Sequence, residues 1–364
     1  MKKQLDGIIP IGAPWGGPES VSFMSCFTSM LYTIEDFDGS QPLYCCQGPG
    51  LCLRCGRCVG FDWQQKYHEQ LYHLYLTLSG LAFLTIWTAP TADQATRATI
   101  HRPWRLLDDE YLRRSMDWAG YEYTDLSTGY WKTLEDAITD ERPVLVYDHA
   151  QDDWHLVAGY DSDSQQALDD RGNALALHDG VRVIAVTGPK EQCTDYIEAF
   201  RYLANVLRDP IRPAPGYVTG LAAYDAVADW LGNDAFFAQA DEAALSNAYE
   251  SVHAFIGMLA ENRCFAAMVL LENLGIKTNP DARNVVELVG AYHMQTHNQC
   301  WGAWAVLGQN HICEPDKYSQ RLRERAVRDE LARYIRTFQK HDRMAALLLE
   351  ESANTPFLQP QVSL

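Results

Sequence analysis

The hydrophobic pattern of this chain changes near residue 194. Helical and strand periods are mixed before that point, and the chain reads almost wholly as helix after it. In the first half, Phe23–Asp36 and Trp63–Ser79 carry apolar residues at helical spacing, and Gly80–Thr88 (GLAFLTIWT) reads as a buried strand. Helices are expected over Asp108–Trp118 and Trp131–Thr139. They are followed by β-branched runs at Pro143–Tyr147, His155–Tyr160, Gln166–Leu168 and Val181–Thr187. Helices first and antiparallel strands second is an α+β order. A helix over Thr194–Leu207 stops at DPIRPAPG (Asp209–Gly216), where three prolines and a glycine forbid continuation. Further helices are expected near Val218–Leu231, Glu242–Leu259, Cys264–Leu274, Ala282–Leu307 and Asp316–Leu349, joined by connections short enough for an all-α bundle.

The organisation expected is an α+β domain over 1–192 with a Cys-rich insertion at 44–60, a helical domain over 193–352 and a flexible tail over 353–364. The formal charge of the 364-residue chain is −18, from 30 basic and 48 acidic residues. Residues 1–195 hold 15 basic against 28 acidic side chains, and residues 196–364 hold 15 against 20. Such a surface repels phosphate backbones and anionic lipid, which excludes nucleic acid and membrane as expected partners. No stretch of about 18 apolar residues exists and no signal-like segment opens the chain, so a soluble, cytoplasmic protein is expected. A homodimer through the helical half is the default assembly.

Cys26 stands in the first turns of an expected helix after a loop rich in Gly, Pro and Ser, where unpaired N–H groups favour a thiolate. His155 opens the strand WHLVAGYD, and Asp169 and Asp170 follow about fifteen residues later, at the end of QQALDD. Nucleophile, base and orienting acid would then fall in the order Cys, His, Asp. Asp179, before the strand VRVIAVTG, is a reserve acid. The competing readings are a packed helix cysteine, an edge histidine and a solvated acidic turn.

The segment around Cys26, the strands RPVLVYD and WHLVAGYD, and the acidic end of QQALDD resemble the papain-like fold of the double-glycine leader peptidases. They resemble more specifically the family of butirosin biosynthesis protein H. The sequence GLAAYD at Gly220–Asp225 is similar to the helical region that follows the domain in that family. The resemblance implies a papain-like cysteine peptidase or acyltransferase, with Cys26 as nucleophile, His155 as base and Asp170 or Asp169 as acid. It implies peptide, amide or carrier-protein thioester substrates. The stretch PESVSFMSC before the nucleophile lacks the Gln that usually helps hold the oxyanion, which predicts a poor general protease. The alternative is an inactive papain-like scaffold.

Cys45, Cys46, Cys52, Cys55 and Cys58 lie in YCCQGPGLCLRCGRCVG, whose two consecutive x2 spacings let thiolates converge on one ion. Zinc suits such a set, and an iron–sulfur cluster suits it less because the usual C-x3-C-P continuation is missing. Free or disulfide-linked thiols are the other reading. His293, His297 and Cys300 share one helix face and read as packing residues rather than ligands, since no Glu completes a zinc-binding pattern.

Overall fold

Helix and antiparallel sheet both appear in the computed structural model, which describes residues 2–8, 22–34, 72–90, 109–149, 153–175, 177, 181–191, 193, 195–208, 217–272, 280–308 and 312–354. The chain divides into two compact units, Met1–Tyr75 with Leu112–Thr194, and Leu76–Tyr111 with Asp195–Leu364. The change near residue 194 coincides with the start of the second unit's long segment. That unit also takes residues 76–111, which the sequence reading placed with the first half.

In the first unit, β1 (Lys2–Gln4) and α1 (Ser22–Ile34) are followed by α2 (Asp109–Ala119), whose residues from Leu112 onward belong here. Next come β2 (Tyr121–Leu126), α3 (Trp131–Thr139), β3 (Val144–Asp148), β4 (Asp153–Val157), β5 (Gly159–Asp161), β6 (Gln166–Leu168), β7 (Ala174–Leu175) and β8 (Val181–Pro189). Two antiparallel four-stranded sheets result, in the orders β2-β8-β3-β4 and β1-β5-β6-β7. The run VLVYD is central in its sheet, which accounts for its nearly unbroken apolar character. Val144, Val146 and Val157 join Val181 and Val183 in one core against Leu134, Ala137 and Ile138 of α3. Fully burying each Val, Leu or Ile side chain of this core contributes roughly 1.5–3 kcal/mol. The expected strand His155–Tyr160 is two strands, β4 and β5, and β4 begins at Asp153, so His155 is mid-strand. On α1, Phe23, Met24, Phe27, Met30 and Leu31 are fully buried, and Phe23 meets Trp154 of β4 edge-on at 5.0 Å.

In the second unit the expected strand at Gly80–Thr88 is a 3-10 turn, Leu81–Phe83, and a two-residue strand, Ile86–Trp87, paired with Val218–Thr219. Gly80 precedes the turn with φ +93°, and a Cβ there would lie 2.6 Å from the Tyr202 ring. The helices are α4 (Tyr196–Arg208), α5 (Leu221–Leu231), α6 (Asp234–Gln239), α7 (Glu242–Glu272), α8 (Pro280–Leu307) and α9 (Arg325–Asn354). The two helices expected over Glu242–Leu274 form one, α7. The absence of a membrane-length apolar segment also needs correction. Glu242–Leu271 holds an 18-residue window of mean hydropathy 1.5, long and apolar enough to cross a membrane, and 89% of that window is buried inside the protein.

A charged centre lies inside this unit. Arg263 of α7 and Asp342 of α9 are both fully buried, and the guanidinium forks onto the carboxylate at 3.1 and 2.7 Å. Its other N–H groups reach the carbonyls of Ala82 at 2.5 Å and Phe83 at 3.0 Å and the Thr85 hydroxyl at 2.7 Å. Tyr224 donates its hydroxyl to the same carboxylate. Desolvation opposes both charges, but their mutual attraction outweighs it and holds Asp342 below the usual carboxylate range. His293 stands 3.6 Å from Asp342, yet burial pushes its imidazole down to about 3.

Both shifts give one sign of pH dependence. The unfolded chain protonates His293 below about pH 6.5 while the folded chain does not, and Asp342 must be protonated as pH falls further. Stability of the second unit is therefore expected to decline from pH 6.5 towards 3. Thermal melts followed by circular dichroism at pH 7 and pH 4 check this, with the midpoint lower at pH 4; an unchanged midpoint would remove the acid sensitivity assigned to this centre.

Candidate active site

Cys26 is the fifth residue of α1, half-buried, and its helix packs against β4, the edge strand of its sheet among the described strands. The Cys26 thiol donates to the main-chain carbonyl of Trp154 at 3.5 Å, which brings the sulfur to the peptide that joins Trp154 to His155. Phe23, one helical turn earlier, fixes this approach through its ring contact with Trp154.

His155 lies opposite Val146 in the β3–β4 ladder and so shares a sheet face with Val146 and Val157. Its Nε2 is buried and has no hydrogen-bond partner among the described residues. The structure thus brings the thiol to the main chain of the histidine, while the thiol's hydrogen bond goes to a carbonyl and not to the ring.

The two candidate acids separate clearly. Asp169 accepts from the amides of Arg171 and Asn173 at 2.8 Å each and from Asn173 Nδ2 at 2.9 Å, so its carboxylate organises the turn after β6. Desolvation would raise its pKa, but these bonds prevail and hold it below the ordinary range. Asp170, half-buried on the same turn, acts on Cys26 instead. Burial pushes the thiol up to about 12, and the carboxylates of Asp153 and Asp170 push it in the same direction. This differs from the expected thiolate. The helix terminus favours negative charge on sulfur, but desolvation and two neighbouring anions oppose it and win.

Asp153 was not foreseen as part of this environment. It starts β4 and accepts the Trp154 amide at 3.0 Å, which places a second carboxylate two residues before His155.

Asp179 and the five clustered cysteines, Cys45, Cys46, Cys52, Cys55 and Cys58, lie outside the described residues, as does the segment 9–21 that leads to Cys26. Cys193, Cys264, Cys300 and Cys313, like Cys26, are not in disulfides. His293, His297 and Cys300 are buried in the second unit, with His297 Nδ1 2.7 Å from the Ala260 carbonyl. Among the described residues no group of three or more His, Cys, Asp or Glu side chains is arranged to hold a metal ion.

In comparisons with known proteins, the chain matches no family model and no curated protein.

Proposed function

We propose that the first unit is a papain-like cysteine hydrolase or acyltransferase acting on a peptide, an amide or a carrier-protein thioester, related to the butirosin biosynthesis protein H family. Cys26 is the nucleophile, His155 the general base and Asp170 the carboxylate that orients the histidine. The observation that carries this reading is the hydrogen bond between Cys26 and Trp154, which joins residues 128 positions apart at the peptide preceding His155. Asp170 is chosen over Asp169 because the turn amides already occupy the Asp169 carboxylate.

The chemistry starts from a neutral thiol. His155 Nε2 takes the thiol proton as sulfur adds to the acyl carbon, and the tetrahedral adduct collapses with loss of the amine or thiol leaving group, which receives that proton. Water or an amine then attacks the acyl-thioester, and the Cys26 thiol is restored. A buried Nε2 with no partner to give up suits this role. The missing Gln leaves the expectation of weak general proteolysis in place.

A second reading has its own support. A thiol pushed to about 12 and bonded to a carbonyl suits an inactive scaffold that keeps only the shell. S-acetyl-N-acetylcysteamine, a minimal thioester, separates the two when thiol release is followed with and without an added amine. Release that requires Cys26 supports the enzyme, and faster release with the amine marks an acyltransferase. Equal release by the parent chain and Cys26→Ala would establish the scaffold.

The run Cys45–Cys58 is proposed to hold one structural zinc ion through four thiolates. Elemental analysis of protein purified without chelators should find one zinc per chain, lost in Cys55→Ser and Cys58→Ser. Protein without stoichiometric zinc, or a variant that retains it, would refute the site.

A further inference from the structure

The turn that carries Asp170 is held from the beginning of the chain. Gln4, the last residue of β1, donates from Nε2 to the Asp169 carbonyl at 2.9 Å, spanning 165 positions. That carbonyl also accepts the Gly172 amide at 3.1 Å, which closes the turn on itself. Gln4 pairs with Gly159 in the β1–β5 ladder. A Cβ on Gly159 would stand 2.3 Å from Gln4 Oε1 and 2.7 Å from the Lys3 carbonyl, so a glycine here leaves room for the amide to lie across β5 towards the turn. Main-chain bonds extend the link. Leu5 donates to Ala158 at 2.8 Å and Ala158 to Leu168 at 2.9 Å, which joins the N-terminal strand, the segment after β4 and the residue before the turn. Within the turn the Asp169 carboxylate is committed to Arg171 and Asn173, and Asp170 is the next residue on that loop.

We propose that Gln4 is a positioning residue, whose side-chain amide holds the Asp169–Asn173 turn in the conformation that keeps Asp170 beside Cys26. This rests on the reading of Cys26, His155 and Asp170 as one site. Neither a motif nor chain proximity marks Gln4, since it acts through the main chain of its partner.

The test uses Gln4→Met, which keeps the side-chain length and removes the donor. The rate of Cys26 alkylation by iodoacetamide at fixed alkaline pH is read peptide by peptide by mass spectrometry, so that other thiols are counted apart. Because Asp170 helps keep the thiol protonated, Asp170→Asn should speed alkylation at a pH below the thiol's pKa. Gln4→Met should speed it by a similar factor, and the double variant should react no faster than Asp170→Asn alone. A Gln4→Met effect undiminished in the Asp170→Asn background would show simple loosening around Cys26 and overturn the proposal. So would a rate unchanged in Gln4→Met or in Asp170→Asn. Hydrogen exchange provides a second readout: the amides of Arg171 and Asn173 should exchange faster in Gln4→Met, and unchanged protection would also overturn it. Failure of the catalytic reading appears separately, as thioester turnover that survives His155→Ala while this cycle still holds.

Discussion

Asp342→Ala is expected to unfold the helical unit at temperatures where the parent chain remains folded, with a loss of about 3–5 kcal/mol. The size follows from what the substitution leaves behind. Arg263 is fully buried, and a guanidinium keeps its proton at any ordinary pH, so its charge would remain when the carboxylate is removed. The carbonyls of Ala82 and Phe83 would solvate part of the guanidinium, and nothing would neutralise it. Arg263→Met with Asp342→Leu removes both charges together and should recover much of the loss, because the pair's attraction is largely offset by its desolvation. The residue cost would come from the carbonyls of the 3-10 turn, which lose their donor. Thermal denaturation of the three proteins checks this order. A single variant as stable as the parent, or a double variant worse than the single, would contradict the role assigned to the buried pair.

That centre also shows where sequence reading stops. Arg263 sits in MLAENRCFAAMVLL, in the gap between the helices expected at Glu242–Leu259 and Cys264–Leu274. It is instead the inside of one continuous helix, since its partner lies 79 positions away and its remaining acceptors are in a segment assigned to the first half. Apolar runs were legible: Pro143–Tyr147, Gln166–Leu168, Trp131–Thr139 and the change near residue 194 all correspond to elements or boundaries within a residue or two. Elements without an apolar signature were not. The strand Lys2–Gln4 (KKQ) is short and polar, and Tyr121–Leu126 has no buried residue to reveal it, so only ladder pairing defines them.

The candidate site divides in the same way. Its residue types and chain order could be read locally, because a cysteine early in a helix and a histidine on an apolar strand leave local signatures. The choice between Asp169 and Asp170 could not, because it depends on which carboxylate the turn amides occupy. The direction of the thiol shift was missed for a related reason. The helix-terminus argument uses near neighbours only, whereas the dominant effects are burial and carboxylates more than 120 positions away.

His155→Ala should have the largest effect on chemistry. A thiol held protonated near neutral pH depends on a base at the moment of attack, and general-base removal typically costs 10²–10⁴-fold in rate. Thioester turnover should therefore fall at least about a hundredfold in His155→Ala. The fall should appear in the rate of acyl-enzyme formation with little change in thermal stability, since His155 makes no hydrogen bond through Nε2 that the fold would lose. Asp170→Asn should lower turnover less, because it acts through the orientation of the histidine.

Mass spectrometry of the protein after brief exposure to S-acetyl-N-acetylcysteamine tests most directly the proposal that Cys26 itself carries the acyl group. The expected result is one acetyl group per chain, mapped to the peptide containing Cys26, absent from Cys26→Ala and formed far more slowly in His155→Ala. Acetylation that falls elsewhere, or a Cys26 adduct that forms equally fast without His155, would contradict the account.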